Sequence, residues 1–176
     1  RLQRRKGQDQ LIRALPAIRR VIPNVLYSIV GDGADRSYLE QLVQAEGVGD
    51  QVQFRGEPND EELVQCYQQC DLFVLPNRQV GKDIEGFGMV LLEAQACGRP
   101  VVAGASGGTA ETMQVPNTGR IVPCDGPDQL AAVVIELLGN PDLRERMGSA
   151  GRRWVEDHFS WESLSDQAQH LFDGVG

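Results

Sequence analysis

Glu85 and Glu93 fall in one stretch, Pro76 to Gly104, which reads PNRQVGKDIEGFGMVLLEAQACGRPVVAG. An apolar run, Leu72 to Leu75, has the composition of a buried strand and ends at Pro76. A polar, Gly-containing loop follows and closes on Glu85-Gly86-Phe87-Gly88. A helix is then expected from about Met89, with Glu93 in its second turn and a stop at Gly98. A second buried run occupies Pro100 to Ala103. The loop therefore belongs at the carboxyl end of a parallel strand, where open α/β sheets bind ligands. A helix start offers open N–H groups and a positive dipole end, both suited to phosphate. Ionised carboxylates only accept hydrogen bonds, so Glu85 and Glu93 suit hydroxyl groups instead. A phosphate-binding helix end between two hydroxyl-reading carboxylates points to a sugar nucleotide.

The whole chain has to position that stretch. With 176 residues, 41% of them hydrophobic and 24% charged, it is expected to form one domain, residues 1–176, with a sizeable core. No apolar run approaches the roughly 18 residues of a membrane-spanning helix, and the first residues lack a signal-peptide pattern. A net charge of −8 argues against nucleic acid as a partner. Charge is uneven, however: Arg1, Arg4, Arg5, Lys6, Arg13, Arg19 and Arg20 crowd residues 1–20 against a single acid, Asp9. Such a cluster implies a local anionic partner or a solvated helix face. Cys66, Cys70, Cys97 and Cys124 lack metal-ligand spacing and are expected to be reduced thiols in a cytosolic protein.

Periodicity gives the order of elements. A helix is expected over Gln8 to Val21 with Leu11, Leu15, Ile18 and Ile22 on its apolar face, kinked or shifted in register at Pro16. Strands follow at Val25 to Val30 and Val52 to Gly56, with helices at Arg36 to Glu46 and from Asn59 or Asp60 to Cys70. After the central stretch come a short helix at Ser106 bearing Glu111, a strand at Arg120 to Pro123, and helices from Pro127, Pro141 and Ser160. The last is expected to end near Phe172. Alternation of this kind predicts an α/β fold: a Rossmann-like, doubly wound parallel sheet with helices on both faces and a helical carboxyl end. The Gly31-Asp32-Gly33 turn lacks the third glycine of a dinucleotide fingerprint, since Arg36 stands there, which disfavours a nicotinamide site.

Taken together, these segments resemble the carboxyl-terminal, donor-binding domain of retaining glycosyltransferases of the two-domain B-type fold. The motifs are Arg1-Leu2…Arg5-Lys6-Gly7, Ile29-Val30-Gly31-x-Gly33, Phe54-x-Gly56 and Leu72 to Pro76. Glu85 to Ala94, Gly98 to Ala103, Gly107-Gly108-x-x-Glu111 and Phe159-Ser160-Trp161 complete the series. In the extended loop Asn77 to Ile84, the chain looks most like mannosyltransferases that build phosphatidylinositol mannosides from GDP-mannose. The resemblance implies that Arg1 and Lys6 grip the donor diphosphate, and that Glu85 contacts the transferred sugar. Glu93 would hold the ribose hydroxyls. Gly86, Phe87, Gly88, Met89 and Val90 would face sugar and phosphate, and Glu57 and Pro58 would read the base. Pro58 has no N–H to give, which departs from the usual contact. Glu111 would brace a loop or touch the ligand.

It further implies transfer of a hexose, with mannose the candidate sugar, from a GDP- or UDP-sugar, with retention and without a metal cofactor. No Asp-x-Asp occurs, and His158 and His170 stand apart. Arg1, Lys6 and Glu85 would be the catalytic residues here, while the acceptor-binding domain and the first central strand would precede Arg1. The chain alone is then expected to bind nucleotide weakly and to transfer nothing. Its partners would be the donor, a sugar or lipid-linked acceptor and its own amino-terminal domain, with a cytoplasmic location that extends to the inner membrane face. The competing readings are a non-catalytic nucleotide-sugar module and a sugar-nucleotide epimerase of the same fold.

Overall fold

The computed structural model describes residues 1–165 and Gln169. Its strands are β1 (Tyr27–Val30), β2 (Val52–Gly56), β3 (Phe73–Leu75), β4 (Val101–Gly104) and β5 (Gly119–Val122). They alternate with α1 (Gln8–Val21), α2 (Arg36–Ala45), α3 (Asp60–Gln69), α4 (Met89–Ala96), α5 (Pro127–Leu138) and α6 (Pro141–Phe159). Short 3-10 turns cover Arg4–Lys6, Gly49–Gln51 and Gly107–Thr112. Of the helix expected from Ser160 to Phe172, residues 161–165 and Gln169 are helical, and residues 166–168 and 170–172 lie outside the described residues.

Local chemistry sets the helix boundaries. Asn59 accepts the Glu62 N–H at 3.0 Å while the Glu62 carboxylate accepts the Asn59 N–H at 3.0 Å, a reciprocal cap on α3. Pro127 and Pro141 open their helices, where a missing N–H costs nothing, and Asn140 caps α6 through the Leu143 N–H at 3.0 Å. α1 runs from Gln8 to Val21 with Pro16 inside it and with Leu11, Leu15 and Ile18 buried as expected.

β4 is buried along its whole length. Its successive side chains point to opposite faces, as in any strand. Val102 joins Val122 in a core built with Ile12, Leu15 and Ile18 of α1 and Leu130, Val134 and Leu137 of α5. Val101 and Ala103 turn the other way, into a core with Tyr67 of α3, Leu75 of β3, and Leu91 and Ala94 of α4. Helices on both faces explain why β4 reads as an unbroken apolar run.

The expected single sheet is corrected to two. β1 pairs with β2, and β3, β4 and β5 form a second sheet, with every pairing parallel. Among the described residues no strand hydrogen-bonds to both β1 and β3, so each keeps one edge unpaired. Leu2, fully buried, lies across the turn after β1: its N–H donates to the Asp32 carbonyl at 2.9 Å and its carbonyl accepts from Asp35 at 3.3 Å.

Much of the basic cluster lies at the surface, with Arg1, Arg4, Arg13 and Arg20 exposed, and several of its members pair within the chain. Arg13 pairs with Glu46 at 3.1 Å and Arg19 donates to the Gly47 carbonyl at 2.8 Å, fastening α1 to the end of α2. Arg4 lies over the Tyr38 ring, 3.4 Å from its centroid, beside Asp35.

Candidate functional site

The loop leaving β3 is fixed by a buried amide. Asn77, with no exposed surface, donates through Nδ2 to the Ser106 carbonyl at 2.7 Å and accepts the Gly104 N–H at 2.9 Å. Arg78 then forks onto Asp9, one Nη to each carboxylate oxygen at 2.8 Å, and its N–H donates to the Arg5 carbonyl at 2.9 Å. Asp9 is 4% exposed, and a bidentate guanidinium is the partner that makes such burial tolerable. Val80 and Asp83 exchange two backbone hydrogen bonds, at 2.9 and 3.0 Å, and close the exposed tip.

Past the tip the chain turns inward at Glu85, which is 7% exposed. Its Oε2 lies 2.7 Å from Lys6 Nζ and 2.7 Å from Arg5 Nη1. Arg5 Nε also reaches Asp83 at 3.1 Å. Two glycines make this seat possible. At Gly7 (φ 73°) a Cβ would stand 1.8 Å from the Pro76 carbonyl oxygen, and at Gly107 (φ 67°) it would stand 1.7 Å from that of Glu85. A side chain at either position would push the loop away.

α4 begins at Met89 with no side-chain cap; the Leu91 N–H donates to the Gly88 carbonyl at 2.8 Å, which leaves the N–H groups of Met89 and Val90 as its open donors. One turn later, exposed Glu93 accepts a hydrogen bond from the Tyr67 hydroxyl through Oε2 at 2.7 Å. Burial, reinforced by that carboxylate, raises the Tyr67 pKa far above its ordinary value, so the hydroxyl remains a donor. Phe87 is half-buried against Phe159 at the end of α6, with ring centroids 6.0 Å apart.

The structure thus unites Lys6 with Glu85 and sets Gly86, Phe87, Gly88, Met89, Val90 and Glu93 along one loop–helix unit. Arg1 is exposed near the turn after β1, while Glu57 and Pro58 directly follow β2. Among the described residues no side-chain hydrogen bond or ion pair joins Arg1, Glu57 or Pro58 to that unit. Glu111 is exposed in the 3-10 turn Gly107–Thr112. Sequence reasoning missed Arg5, Asp83 and Tyr67. Arg5 had a signal, its place beside Lys6; Tyr67 had none, because only tertiary packing brings it to Glu93.

Among the described residues no group of three or more His, Cys, Asp or Glu side chains could hold a metal ion, and no helix is long and apolar enough to cross a membrane. All four cysteines are free. Burial pushes the Cys124 thiol up to about 12 and the Cys70 thiol up to about 11, so neither is a thiolate nucleophile at neutral pH.

Residues 1–154 match the model of the family described as glycosyl transferases group 1. The GDP-mannose-dependent alpha-(1-6)-phosphatidylinositol monomannoside mannosyltransferase of Mycolicibacterium smegmatis is 42% identical over 99% of this chain and 46% of its own length. The protein of the same name from Mycobacterium tuberculosis is 43% identical over 99% of this chain and 46% of its own length. The chain therefore spans about half the length of the curated relatives it matches. Among solved structures, Anabaena HepE in complex with UDP superposes with a TM-score of 0.85 at 26% identity, covering 99% of this chain and 47% of that one. Sucrose-phosphate synthase from Thermosynechococcus elongatus gives a TM-score of 0.85 at 33% identity, covering 98% and 43%.

Proposed function

Since the chain belongs to the glycosyl transferases group 1 family, we propose that it is the donor-binding half of a retaining hexosyltransferase that uses GDP-mannose. One observation carries the reading: Lys6 and Glu85, far apart in sequence, meet at 2.7 Å beside the open start of α4. A cation, a carboxylate and free backbone donors then line one seat. Mannosyltransferase relatives support mannose as the sugar, and the UDP bound to HepE makes a UDP-sugar the competing donor.

In this reading the diphosphate lies against Lys6, Arg1 and the first N–H groups of α4. Those positive groups stabilise the charge that grows on the phosphate as its bond to the anomeric carbon breaks. Glu85 accepts from sugar hydroxyls and Glu93 from the ribose. The acceptor oxygen bonds to the anomeric carbon on the face the phosphate leaves, and its proton passes to the departing phosphate oxygen. No protein nucleophile and no metal enter that scheme. A strand preceding Arg1 would lie between β1 and β3, and an amino-terminal domain would bring the acceptor, so the chain alone binds nucleotide without transferring sugar. A cytoplasmic location, with the complete protein touching the inner membrane face, belongs to the same proposal.

Calorimetric titration with GDP, UDP and NAD, with and without magnesium, tests it. GDP is expected to bind whether or not magnesium is present, and Glu93→Ala to weaken it about tenfold, the worth of a hydrogen bond to a charged group. Binding of NAD alone, or none by a chain that melts cooperatively, would overturn the proposal.

A further inference from the structure

Arg5 is the residue at this site with the most contacts and no assigned role. We infer that Arg5 is the positioning residue for Glu85, holding that carboxylate toward the donor sugar once Lys6 turns to the diphosphate; the inference rests on the donor-site reading above.

Arg5 grips the loop at both ends. Its carbonyl accepts the Arg78 N–H at 2.9 Å, while its guanidinium reaches Asp83 at 3.1 Å through Nε and Glu85 at 2.7 Å through Nη1. Its side chain is 20% exposed and that of Glu85 9%. A planar guanidinium can serve two carboxylates at fixed angles; a lysine ammonium, a point charge on a flexible stem, cannot hold the same fork.

The geometry around Glu85 explains why such a grip is needed. Arg5 and Lys6 both approach Oε2, and no hydrogen bond among the described residues engages Oε1. Oε1 is therefore the acceptor left for a sugar hydroxyl. A bound diphosphate carries more negative charge than Glu85 and draws Lys6 toward itself. Glu85 would then be a buried carboxylate beside phosphate, a like-charge arrangement that favours swinging away. Arg5 cancels that tendency, because its contact with Glu85 does not depend on Lys6. Nucleotide is thus bound mainly by Lys6 and α4, whereas productive sugar placement depends on Arg5.

The test compares wild type, Arg5→Gln, Arg5→Lys and Asp83→Asn in the full-length protein, with Arg13→Gln as a charge control. The readouts are calorimetric affinity for GDP and the turnover of GDP-mannose, including its transfer to water. Arg5→Gln is expected to lower kcat roughly 100-fold, the scale of losing one buried charge partner, with GDP affinity changed less than about threefold. Arg5→Lys should recover part of that loss. Asp83→Asn, which loosens the fork while leaving every residue of the Arg4–Lys6 turn in place, should shift kcat in the same direction by less. Unchanged kcat in Arg5→Gln, or parallel loss of GDP affinity and kcat, would overturn the inference while leaving the donor site standing. Failure of the wild type to bind GDP or UDP would instead sink both.

Discussion

At the scale of single residues, the two carboxylates work in different surroundings. Glu85 is buried between two cations, whereas Glu93 is exposed and oriented by one neutral donor, the Tyr67 hydroxyl. The Tyr67 ring is 7% exposed and packs 5.5 Å from Phe73, so its role in the core can be separated from its hydrogen bond. Tyr67→Phe keeps the ring and removes only the donor. It is expected to weaken GDP binding about three- to tenfold, with a stability change near 1 kcal/mol, as measured by calorimetry and thermal melts. The sequence displayed Glu85 and Glu93 because their chemistry is local to one loop and one helix turn. It hid Tyr67 because nothing in α3 marks which side chain will lie against α4.

Elements carry the next level of control. The loop from Asn77 to Gly88 has little regular structure, yet it is fastened to β4, α1 and the turn at Gly107 by backbone and buried side-chain contacts. Asp9 and Arg78 form the pair that ties it to α1. Asp9→Asn leaves a half-buried guanidinium without its charge partner and should cost about 3 kcal/mol in chemical denaturation. Nucleotide affinity should fall with it, since Gly7 and Lys6 adjoin the same fastening. Helix boundaries were legible at Asn59, Pro127 and Asn140, where capping is written in adjacent residues. The loop's anchors were not legible. Arg78 looks like a surface residue in sequence, and Asp9 like an ordinary first-turn acid, until the fold sets them 2.8 Å apart.

For the molecule as a whole, two cores meet at β4, and among the described residues β1 and β3 each keep one edge unpaired. Strand direction and alternation were legible because parallel strands need helical crossovers. Continuity of the sheet was not, because pairing between distant strands leaves no local trace. If a preceding strand fills the gap, adding the residues before Arg1 supplies the backbone partners that both edges lack. A gain of about 3 kcal/mol would raise the melting midpoint by roughly 6–12 °C in a domain of this size. Differential scanning calorimetry of the extended and present chains decides it; equal midpoints would argue against a strand there.

The fastening of the loop also governs how this chain can change over generations. Residues 79–82 form its exposed crest, while Arg78 below and Asp83 beyond are held by partners outside the loop. Residues can therefore be exchanged or inserted at the crest without shifting Glu85, much as a key blank is recut without altering its shank. Variation can accumulate at the crest while the seat of Glu85 is inherited intact.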